Sequence, residues 1–132
     1  MKEIPHRYVP TLSHQNKPLL HWGLAFTNEQ VLTCLLRNNL MPDWDPKKPK
    51  IMVALFKVLD YLEDRCGVTL KREWPLSVDY PHVVSLYSNF SMADTVMPWK
   101  TEERAVAIIK EELGVEGDTM WWWNWEKAYK RW

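Results

Sequence analysis

The stretch Pro49-Lys50-Ile51-Met52-Val53-Ala54-Leu55-Phe56-Lys57-Val58-Leu59-Asp60-Tyr61-Leu62-Glu63-Asp64-Arg65 decides how the rest of the chain is read. Between Ile51 and Leu62 only Lys57 and Asp60 interrupt a run of apolar and aromatic side chains. On a 3.6-residue wheel Lys57, Asp60 and Asp64 form one narrow polar strip. A helix apolar around most of its circumference needs cover around most of it. The reading is therefore a central buried helix over about residues 49–66, closed by Gly67, which suits the left-handed position after a last turn.

Upstream, Thr27 and Gln30 have the spacing of a capping box, and Val31, Leu32, Leu35, Leu36 and Leu40 follow at helical intervals. Asn39 suits a left-handed C-terminal position. Downstream the period changes. Val68, Leu70, Arg72 and Trp74 alternate with Thr69, Lys71 and Glu73, which predicts a strand that Pro75 ends. Residues 83–88 read as a second strand, antiparallel to the first. Two strands alone are marginal, so a third is expected from the N-terminal segment, where residues 19–24 have strand character. A further helix is predicted from Thr101, with Ala105, Val106, Ile108, Ile109 and Leu113 as its stripe and Gly114 as its stop.

The two ends of the chain complete the expectation. Residues 1–26 carry Pro5, Pro10 and Pro18 and read as an irregular arm packed on the core. Residues 118–132 hold Trp121, Trp122, Trp125, Ala128, Tyr129 and Trp132 at the spacing of one helix face, which predicts a Trp-rich C-terminal helix. The fold class expected is α+β: one compact domain over 1–132, with three to four helices around the central one and a small antiparallel sheet.

Composition narrows the function. Seventeen lysines and arginines balance 17 aspartates and glutamates, so the chain lacks the basic excess that drives nucleic-acid binding. No apolar run approaches the ~18 residues that span a bilayer, and the first residues lack the apolar core of a secretory signal. Cys34 and Cys66, without CxxC spacing, read as free thiols in a reducing, cytoplasmic setting.

No histidine pair has metal-ligand spacing, and no glycine-rich phosphate loop or nucleophile motif occurs. No metal and no cofactor are expected. Asp43-Trp44-Asp45 lacks the glycine and terminal glutamate of a calcium loop and reads as helix capping.

Nine tryptophans are the unusual figure. Trp22, Trp121, Trp122, Trp123, Trp125, Tyr129 and Trp132 are the candidate binding residues, as core filler, pocket lining or a patch for a partner. The function expected is that of a small soluble binding or interaction protein with a Trp-rich surface or pocket. Its ligand would be a protein or an apolar or planar small molecule, and homodimerisation is expected of exposed indoles. The alternative is a small cofactor-free enzyme in which His21 or His82 acts as general acid/base within an aromatic-lined pocket. A carrier with the same pocket and no chemistry is the third reading.

Overall fold

The computed structural model describes residues 19–92 and 97–124. The elements run β1 (Leu20–Phe26), α1 (Asn28–Arg37), α2 (Ile51–Cys66), β2 (Lys71–Glu73), β3 (His82–Ser88), α3 (Trp99–Leu113) and β4 (Met120–Trp123). The strands form one antiparallel sheet in the order β2-β3-β1-β4. The architecture is α+β, with the three helices against one face of the sheet. Trp22, Leu24 and Phe26 of β1 and Val84, Leu86 and Tyr87 of β3 share a core with residues of all three helices.

Local chemistry explains where the helices begin and end. Thr27 N donates to Gln30 Oε1 (2.9 Å) and Gln30 N donates back to Thr27 Oγ1 (3.3 Å), the reciprocal capping box that opens α1. Gly67 and Gly114 close α2 and α3 with φ of 68° and 67°, and Asn39 follows α1 with φ of 51°.

Two expectations are corrected. The helix over 51–66 is amphipathic, not buried all round. Ala54, Leu55, Val58, Leu59 and Leu62 face the core, while Met52, Val53 and Phe56 are 45%, 42% and 56% exposed. The reason is the layer arrangement: a helix lying on a sheet beside two other helices leaves its back uncovered. The central element is β1 instead, buried at all seven positions and flanked by β3 and β4. The N-terminal segment is thus a core strand from residue 20 onward, and residues 1–18 of the expected arm lie outside those described.

The second correction concerns the tail. Residues 120–123 form an edge strand, with Trp22 opposite Trp121 and His21 opposite Trp122. Aromatic residues fit a half-buried pleated surface, and pairing with β1 outweighs the helical spacing. Trp125, Tyr129 and Trp132 lie outside the described residues.

The sheet also curls. Pro75, just past β2, bridges Asn124, just past β4, and Leu76 N donates to Trp123 O. Joining the two edges in this way helps close off the face turned from the helices, where Ala25, Val83 and His21 are buried.

The helices are held to one another by an ionic group. Glu112 of α3, 7% exposed, accepts hydrogen bonds from Arg37 and Asn38 at the end of α1 and from Arg65 of α2. Tyr61 Oη donates to Asn38 Oδ1. Glu112→Gln keeps the shape but removes the charge that both guanidinium groups meet. The expected loss is about 2 kcal/mol in chemical denaturation, the scale for hydrogen bonds to a charged partner. Both arginines are 40% or more exposed and regain water, which keeps the loss from being larger.

Candidate functional site

Strand alternation places His21, Gly23 and Ala25 on the face away from the helices, together with Ser85 and Val83 of β3 and Lys71 and Glu73 of β2. A cleft of about 720 Å3 opens there, lined by His21, Lys71, Glu73 and Ser85 and continuing past Tyr87 and Ser88 to Thr101 at the start of α3. Leu19, Val68, Leu86 and Met97 supply its apolar wall.

A bulge shapes this cleft. Trp22 pairs with Tyr87 but Gly23 pairs with Ser85, so Leu86 is the extra residue on β3. Bulges redirect neighbouring side chains, and here the redirection lies beside the polar cluster.

Within the cluster every proton on the His21 ring can be assigned. Asn124 Nδ2 is a donor and lies 3.0 Å from His21 Nε2, so Nε2 accepts. The ring proton is then on Nδ1, 3.5 Å from Ser85 Oγ. Ser85 Oγ–H in turn donates to the Tyr87 carbonyl (3.2 Å). Burial, with the Lys71 ammonium adding to it, lowers the His21 pKa to about 4. Glu73 Oε2 is 3.8 Å from His21 Nε2, an ion-pair distance only if the ring is charged. A ring held neutral to about pH 4 makes no such pair at neutral pH. Burial raises the pKa of Glu73, and Lys71 and Arg72 oppose the rise.

His82 lies elsewhere. Its ring stacks on Phe26 at 5.1 Å between centroids. Arg72 Nε donates to its Nδ1 (2.9 Å), which leaves the proton on Nε2 to reach Asn28 Oδ1 (2.6 Å). Burial first, then Arg72, lowers its pKa to about 4. Both ring nitrogens are used in joining β2, β3 and the start of α1, and His82 does not line the cleft around His21.

The aromatic candidates divide between the two faces. Trp121 packs against Trp22 and Tyr87 on the helix side, with centroids 5.4 and 6.0 Å apart. Trp122 is on the opposite side, where its Nε1 donates to Gly23 O (3.3 Å) and its ring meets Tyr80 edge-on. Trp123 is half-buried. The indoles described thus form no single stripe, because a strand alternates what a helix would align.

Sequence reasoning found His21 but not Lys71, Glu73, Ser85 or Asn124 as its companions. They are 50 or more residues away in the chain and come together only through sheet pairing and the bulge. Among the described residues no group of three or more His, Cys, Asp or Glu side chains is placed to hold a metal ion. No helix among them is long and apolar enough to cross a membrane.

No protein-family model, no curated protein and no solved structure matches this chain.

Proposed function

We propose that the chain is a non-catalytic binding protein whose working part is the cleft beside His21. Its ligand is a small molecule with an apolar or planar body and a polar end. The body meets Leu19, Val68 and Met97, and the polar end meets Lys71 and the hydroxyl of Thr101. The observation that carries this reading is the commitment of the buried polar groups. Both nitrogens of His21 have partners, and the Ser85 proton points to a carbonyl, not to the imidazole. A serine nucleophile donates to its base. This arrangement instead holds a polar wall still, which is what a binding site needs.

The test is a panel of small planar and apolar carboxylates and alcohols, followed by amide shifts in nuclear magnetic resonance spectra. Hits are expected to move the amides of Lys71, Ser88 and Thr101 and to bind about tenfold more weakly to Lys71→Ala, or about 1.4 kcal/mol. Hits that leave those amides unmoved and ignore the substitution would overturn the proposal.

One observation favours the enzyme reading as second: a neutral histidine and a carboxyl of raised pKa share the cleft, the kind of pair acid–base catalysis uses. Turnover of a bound ligand that Glu73→Gln abolishes without loss of binding would install that reading in place of the first. The free, buried thiols of Cys34 and Cys66 support a reducing, cytoplasmic setting for either.

A further inference from the structure

A second cleft, of about 390 Å3, opens where the loops before β3 and before β4 approach the outer face of the sheet. It shares no lining residue with the cleft around His21. Ala25 lies along it, Tyr80 comes from one loop, Glu116 and Asp118 from the other, and Met120 and Trp122 from β4.

Two features of this cleft point to one ligand chemistry. The first is an aromatic corner. The rings of Trp122 and Tyr80 meet at 70° with centroids 5.8 Å apart, and the Trp122 ring is fixed by its Nε1 donation to Gly23 O. An indole held in place beside a phenol ring offers the negative potential of its face to a cation entering the cleft. The second is charge. Glu116 and Asp118 line the cleft, and no lysine, arginine or histidine does. Asp118 is partly neutralised by Lys110 Nζ at 3.6 Å. Glu116 has no ion pair among the described residues.

We infer that this cleft binds an organic cation of the alkylated-ammonium class. The alkylated nitrogen packs against Trp122 and Tyr80, and Glu116 supplies the countercharge. A metal ion does not fit, because it needs several converging oxygen ligands and π faces offer none. A primary ammonium gains less there, since it is strongly hydrated and the rings replace little of the water its N–H donors give up. Alkyl groups remove that cost and add apolar contact, including contact with Met120. An anion is repelled by both carboxylates.

The experiment titrates the full chain with choline chloride and, separately, with 3,3-dimethylbutan-1-ol, its uncharged isostere. The indole N–H of Trp122, assigned with Trp122→Phe, is the reporter. Choline is expected to give a saturable shift, and the isostere to bind at least about tenfold more weakly. Glu116→Gln, on an exposed loop, is expected to weaken choline by roughly threefold, and Tyr80→Leu by about tenfold, with the rest of the spectrum unchanged. Equal binding of choline and the isostere would overturn the inference. So would the absence of a saturable choline shift, or a choline titration that neither substitution alters. Because the two clefts share no lining residue, failure here leaves the proposal for the His21 cleft standing, and the reverse also holds.

Discussion

Gly23→Ala is expected to cost about 3 kcal/mol or more, a large share of the roughly 5–15 kcal/mol that holds an ordinary domain folded. A β-carbon at residue 23 would lie 1.9 Å from the Val84 carbonyl oxygen and 2.9 Å from its carbon. Both atoms are backbone, so no side chain can swing away. Relief requires β1 and β3 to separate where the sheet is most deeply buried. Gly117→Ala is the control. Nothing lies within 4 Å of the β-carbon it would introduce, and its effect is expected to stay within about 0.5 kcal/mol. Urea denaturation of both variants checks the pair. If Gly23→Ala proves as stable as Gly117→Ala, the close contact at the bulge is wrong, and the placement of Ser85 beside His21 falls with it.

The second large effect is loss of stability in mild acid. His21 and His82 both have folded pKa values of about 4 against 6.5 for the free side chain. The unfolded chain therefore takes up protons between pH 6.5 and about 4 that the folded chain refuses. The slope of stability with pH is positive in that window, so stability is full above pH 6.5 and falls as acid is added. Each histidine is expected to remove about 2 kcal/mol by pH 5. Glu73 works the other way: its raised pKa means that the folded carboxyl binds its proton first, which returns some stability at lower pH. Denaturation curves at pH 7, 6 and 5 measure the slope. His82→Asn is expected to start less stable, because its bonds to Arg72 and Asn28 are weakened, yet to fall less steeply. An unchanged slope in both His82→Asn and His21→Asn would contradict the account.

The parts of the fold legible in the sequence were those fixed by local chemistry. The capping box at Thr27 and Gln30, the left-handed Asn39, Gly67 and Gly114, and the strand at 83–88 each follow from a few adjacent residues. The third strand, expected from the N-terminal segment, is β1. What periodicity alone misread were elements whose surroundings decide their state. Met52, Val53 and Phe56 made α2 read as wrapped by the chain, but an apolar side chain does not specify that something covers it. Trp121 and Trp122 fit a helical stripe, and only the partner strand β1 turns them to opposite faces.

The site followed the same division. His21 stood out beside Trp22, whereas Ser85 and Asn124, 64 and 103 residues further along, have no local signature. The one local hint was Gly23 within an apolar strand, a usual mark of a bulge or a close backbone approach.

The central claim is that His21 is a locked, neutral member of a polar wall and not a base waiting for a proton. Nitrogen-edited spectra of its imidazole ring, recorded from pH 7.5 to 3.5, test this most directly. The expected result is a neutral ring with the proton on Nδ1, shifting only as the pH nears 4. A ring that titrates near 6.5, or that carries its proton on Nε2, would contradict the claim and return His21 to the role of general base.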